Sequence, residues 1–133
     1  MKKQIKIAIS IIAMTIVVAS LFLANYLSSV QNYKNAVDEI TYEHKDVQTI
    51  PDGSYIGECN VQFIYAKVKV TVKDHTITDI VLLEHRHERG AKAESILKEI
   101  LTQQKIDVDV VAGATNSSKV IKKALDNALN NAF

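Results

Sequence analysis

A chain of 133 residues with 16 basic and 15 acidic side chains carries a formal net charge of only +1. That balance, with no basic cluster interleaved with aromatics, leaves no electrostatic footprint for nucleic acid. The single cysteine, Cys59, excludes an internal disulfide and a cysteine-rich metal centre.

The chain opens with a basic leader containing Lys2, Lys3 and Lys6, followed by an uncharged run from Ile7 to Ala24. As a helix this run covers about 27 Å, enough to cross the hydrocarbon core of a membrane. Tyr26 and Leu27 extend it to an interface. Lysines before the span put that end in the cytoplasm, so a single-pass anchor with everything after Tyr26 outside is expected. A cleaved signal peptide is the competing reading, with Val18-Ala19-Ser20 as a small-residue site. The apolar run continues past that site through Leu21-Phe22-Leu23, which favours a retained anchor over residues 1–27.

Residues 28–50 read as a stalk. Val30, Tyr33, Val37 and Ile40 recur at helical steps on an otherwise polar segment, as in a helix leaving the membrane into a solvated spacer. Pro51-Asp52-Gly53 then turns the chain into a domain covering 51–133. Ser54 to Glu58 is a first strand, with Cys59 a small core or edge residue beside it. The second strand is the clearest: Ile64, Ala66, Val68, Val70 and Val72 alternate with Tyr65, Lys67, Lys69, Thr71 and Lys73. Asp74-His75 makes a hairpin, although histidine suits a positive φ less well than glycine. A third strand runs from Thr76 to Glu84, with broken alternation and an expected bulge around Thr78 and Asp79.

The charged loop from Glu84 to Gly90 carries His85 and His87, a spacing compatible with a transition metal. No third ligand is evident, because Cys59 and His44 have no sequence reason to converge there. The loop is therefore read as solvated, with no metal expected. A helix follows from Ala91 to Gln104, with Ala93, Ile96, Leu97, Ile100 and Leu101 on one face.

The chemistry-bearing stretch is Asp109-Val110-Val111-Ala112-Gly113-Ala114-Thr115-Asn116-Ser117-Ser118. Ile106, Val108 and Val110 alternate before it as a short last strand. Val120, Ile121, Ala124, Leu125, Ala128 and Leu129 form one face of a helix after it. The junction is a strand-to-helix turn of residues with almost no side chain. Backbone N–H groups at a helix start can seat a phosphate, and small residues let it approach. On spacing alone, an ordinary helix start capped by Thr115, Ser117 or Ser118 is the commoner explanation of the same residues. The fold class these elements give is α+β: a small, mainly antiparallel sheet with two covering helices, preceded by a transmembrane helix and a helical stalk.

Asp-x-x-Ala-Gly-Ala-Thr followed by Asn-Ser-Ser resembles the flavin-attachment motif of the FMN-binding domain family. That family includes flavin-carrying subunits of the sodium-pumping NADH:quinone reductase and of related ferredoxin:NAD reductases. Asp52-Gly53-x-Tyr55-x-Gly57 resembles a recurring opening of the same domains, so the likeness covers residues 51–133. The family pattern is Asp, any two residues, Ser or Thr, Gly, Ala, and a final Thr or Ser that bears FMN through a phosphodiester. Carried over by position, Thr115 is the attachment residue and Asp109 the leading acid. Gly113 and Ala114 form the turn, Asn116, Ser117 and Ser118 open the helix, and Ala112 departs from the usual hydroxyl residue.

The resemblance further implies that His85, Arg89 and Gly90 border the flavin ring. It also implies maturation by a flavin transferase that uses FAD and a divalent cation. No nucleophile–base pair, dinucleotide fingerprint or cysteine-ligated cluster accompanies this motif. The expected function is therefore a membrane-tethered electron-transfer carrier working with a membrane redox complex or an external electron acceptor. A flavin-free binding or assembly module of the same fold, suggested by Ala112, is the alternative; a metal-binding surface protein using His85 and His87 is a third.

Overall fold

The structure, a computed structural model, describes residues 1–43, 45–87 and 89–133; His44 and Glu88 lie outside the described residues. Two compact units are present, residues 1–35 and residues 36–133.

The first unit is helical and belongs to α1, Lys2–Asp38. This helix is long and apolar enough to cross a membrane. Its side chains are bare, with Ile16 63% and Phe22 73% exposed. A helix that is apolar all round needs a non-aqueous cover. Two polar side chains inside the run are satisfied within it: Thr15 Oγ1 donates to Ile12 O and Ser20 Oγ to Val17 O, both at 2.8 Å.

The second unit is built on an antiparallel meander of β1 (Gly53–Val61), β2 (Ile64–Lys73) and β3 (Thr76–Arg86), with β2 in the centre. The alternation in β2 is realised residue by residue, since Ile64, Ala66, Val68, Val70 and Val72 are all buried. Asp74 and His75 both take positive φ, 50° and 58°, as a two-residue hairpin turn requires. Asp52 Oδ1 accepts the Asp74 N–H at 2.9 Å and holds that turn. The register shifts twice along β3: Thr78 is an extra residue between the Thr71↔Asp79 and Val72↔Ile77 pairs, and Leu83 between Lys67↔Glu84 and Val68↔Leu82. The broken alternation around Thr78 is thus a bulge.

Two helices cover the buried face, α2 (Ile96–Gln103) beside β3 and α3 (Thr115–Asn130) across β1 and β2. The contact between α3 and β1 is close at Gly57, where an added Cβ would lie 2.2 Å from Ala124 O and from Ala128 N. Only glycine leaves room for the helix backbone there.

Three expectations need correction. Ile106–Val110 is not a strand, although Ile106 and Val108 are buried as the alternation demanded. Side chains of α3 take up backbone groups of this segment and of the residue after it in place of a ladder: Lys122 Nζ donates to Val108 O at 2.8 Å, and Ser118 Oγ accepts the Val111 N–H at 3.1 Å. The helix expected from Ala91 begins as a 3-10 turn, Ala91–Ser95, and becomes α-helical only at Ile96. The spacer is not solvated throughout, since Val37, Val47 and Ile50 are buried. The compact unit begins at Ala36 because these three side chains close its core.

Candidate functional site

The turn before α3 is defined by one hydrogen bond and one dihedral angle. Ala114 N–H donates to Val111 O at 2.9 Å, and Gly113 at the third position has φ 77°. That left-handed position favours glycine. A Cβ built on Gly113 meets nothing within 4 Å, so the turn faces open space. Ala114 is the N-cap and makes no side-chain cap bond. The capping reading of Thr115, Ser117 or Ser118 is thereby replaced: Thr115 is the first helical residue, and its side chain is exposed at the helix start.

Two serines behind the turn are inside the protein, Ser117 2% and Ser118 0% exposed. Ser118 Oγ bridges the turn by accepting from Val111 N–H and donating to Ala114 O at 2.9 Å. Its own N–H also goes to Ala114 O, at 2.9 Å. Ser118 is therefore a strap across the turn, a role that the run of hydroxyl residues did not distinguish from ligand contact. Lys122, 6% exposed, pins the incoming segment through Val108 O and an ion pair with Asp107 at 3.6 Å. Asp109 and Ala112 lie exposed on that segment, and Asn116 is half-buried.

The loop after β3 reaches the same helix start. An added Cβ on Gly90 would lie 1.8 Å from Ser117 Oγ. Gly90 N–H donates to His87 Nδ1 at 3.1 Å, and the rings of His85 and His87 lie 4.5 Å apart. His85 is held from the other side, its Nδ1 3.1 Å from Glu94 Oε1. Its side chain is 2% exposed, and Nε2 is buried with no hydrogen-bond partner among the described residues. Arg89 is exposed. Tertiary folding thus joins Gly90 to the Gly113–Ser118 turn, with His85 held behind it by Glu94. Glu94 carried no sequence signal.

Cys59 is half-buried, and burial pushes its thiol above the usual range while Lys123 pulls the other way. A thiol held protonated is a poor nucleophile, which agrees with a structural role.

The sequence profile of the FMN-binding domain matches residues 64–130, from β2 through α3. The chain belongs to the FMN-binding domain family. The matched segment contains both the loop after β3 and the turn before α3. No curated protein matches the chain. The residues fit the cofactor that membership implies. Gly113 leaves space beside the turn, α3 starts without a side-chain cap, and the Thr115 hydroxyl stands exposed at the positive end of the helix dipole.

Proposed function

We propose that this protein is a membrane-tethered extracytoplasmic flavoprotein whose FMN is joined through a phosphodiester to Thr115, and that it works as an electron-transfer carrier. The observation that carries the reading is the place of Thr115. It is the one hydroxyl of the motif that is exposed, and it begins an uncapped helix directly after a left-handed glycine turn.

Attachment forms a bond between Thr115 Oγ1 and the flavin-side phosphorus of FAD. The pyrophosphate linkage breaks, AMP leaves, and the hydroxyl proton passes to a base of the flavin transferase, which supplies the divalent cation. The product keeps one negative charge beside the N-terminus of α3, where the helix dipole favours it. Ala112 and Gly113 offer no bulk against the phosphate, and Asp109 faces solvent on the approach to the turn. Bound FMN supplies the redox chemistry, accepting one or two electrons. His85, Arg89 and Gly90 would border the ring, and the Arg89 guanidinium would favour added negative charge on it.

The apolar α1 tethers the carrier, with Lys2, Lys3 and Lys6 on the cytoplasmic side. A tether and a covalent bond serve the same end, because a dissociating cofactor outside the cell is lost by dilution. The electron donor is a membrane redox complex, and the acceptor is an external partner.

The intact mass of the protein extracted from membranes of cells holding the flavin transferase tests this reading. The expected mass is the chain from Met1 plus one FMN less one water. A flavin-free mass from such cells, or a soluble form cut near Ser20, overturns the corresponding half of the proposal.

A further inference from the structure

We propose that His85, His87 and Glu94 form a binding site for one late first-row divalent ion, zinc by preference, independently of the flavin. Their donor atoms all lie within 4.8 Å of one another. Two imidazoles and a carboxylate are a donor set for zinc and its neighbours, with a fourth position left to water. The His-x-His spacing supplied two ligands at the end of β3. The missing third comes from the 3-10 turn before α2, which folds Glu94 back onto His85.

One edge of a coordination shell is present. Bonds of about 2.0–2.1 Å in a tetrahedron set ligand atoms about 3.3–3.4 Å apart. His85 Nδ1 and Glu94 Oε1 stand 3.1 Å apart, so this edge of the shell is already formed. Nδ1 is the His85 ligand atom, because it is the nitrogen that faces Glu94. Nδ1 touches only the carboxylate that belongs to the set, and Nε2 is buried with no hydrogen-bond partner among the described residues. Glu94 is half exposed and opens the cluster to solvent, while the His85 side chain closes its inner side.

His87 is the ligand that must reorganise. Its Nδ1 now accepts the Gly90 N–H at 3.1 Å, which places the proton of the neutral ring on Nε2. Coordination by either nitrogen breaks that hydrogen bond. Metal binding therefore carries a local signature at the Gly90 amide.

The test uses the full chain in detergent micelles, made without the flavin transferase, and titrates it with Zn2+ and with Co2+ as a spectroscopic probe. One ion per chain is expected, with Co2+ giving the visible absorption of a low-coordinate nitrogen–oxygen site and the Gly90 amide resonance shifting on binding. Glu94→Gln and His87→Gln should each weaken binding by about ten- to a hundredfold or more. His75→Asn, on the exposed β2–β3 hairpin, should leave it unchanged. Glu94 is exposed enough that its variant keeps the fold, so the test stands even where His85→Gln does not fold. Failure to retain one ion after dialysis, or equal binding by Glu94→Gln and the wild type, overturns the site. Flavin content measured separately in transferase-containing cells tells failure here from failure of the flavin reading.

Discussion

Gly90 lies directly against Ser117. A methyl group on Gly90 would sit 1.8 Å from Ser117 Oγ and 2.6 Å from its Cβ, and Ser117 is itself 2% exposed. The loop after β3 and the first turn of α3 are therefore one packed unit. Gly90→Ala should cost about 1–3 kcal/mol by overpacking, read from urea unfolding. Because the strain falls two residues from Thr115, covalent flavin per chain should drop as well. Unchanged stability and flavin content would show that the loop yields freely and does not support the turn.

Thr115 should behave in the opposite way. Thr115→Ala removes the only exposed hydroxyl at the helix start and should abolish flavin that survives denaturation. It should change stability by no more than about 0.5 kcal/mol, since Ala114 is the N-cap and Thr115 makes no cap bond. Thr115→Ser keeps the oxygen and should retain attachment at least in part. Ala112→Ser, at an exposed position, should leave it equal or better. Denaturation-resistant flavin on the Thr115→Ala protein, seen by in-gel fluorescence, places the bond elsewhere.

Ser118 separates holding the turn from holding the cofactor. Ser118→Ala strips the half-buried Val111 N–H of its acceptor, and Ser118 itself has 0% exposure. A loss of about 1–3 kcal/mol is expected from that unpaired donor. Flavin should still attach to Thr115 in the folded fraction, at reduced yield. Full stability in this variant would mean that another group takes up Val111 N–H.

Alkaline pH probes the packing between the segment after α1 and α3. The Tyr42 phenol is pushed up to about 12, first by burial and then by the negative charges of Cys59, Asp126 and Asp107. Its hydroxyl donates to Lys119 O at 3.2 Å. The folded protein holds this proton more tightly than the unfolded chain, so its contribution is complete below the ordinary value of 10.0 and fades as pH rises towards 12. Urea midpoints should fall across that window, and Tyr42→Phe should flatten the fall. Part of the slope will remain, because the Tyr65 phenol, hydrogen-bonded to Glu58, titrates over the same range. An identical slope in Tyr42→Phe would remove Tyr42 from the account.

The sequence by itself determined whatever depends on periodicity and local chemistry. The apolar run of α1, the alternation of β2, the Asp74-His75 hairpin, the bulge at Thr78 and the apolar face of α3 each follow from side chains a few residues apart. Gly113 was legible for the same reason, since a left-handed turn position selects glycine locally. Tertiary structure decided every feature that needs partners distant along the chain. Ile106–Val110 has the pattern of a strand, yet Lys122 and Ser118 satisfy it from a helix, and no alternation rule sees a helix fourteen residues away. Val37 reads as stalk until Ile50 and Val47 are buried in the same unit. Gly57 looks like a weak point in a strand until the backbone of α3 lies 2.2 Å from where its side chain would be. Glu94 is one more charged residue in the sequence, and only the fold brings it within 3.1 Å of His85. Local order follows from backbone sterics and hydrophobic spacing, whereas a site is an intersection of segments whose meeting point is set by close packing of the whole core.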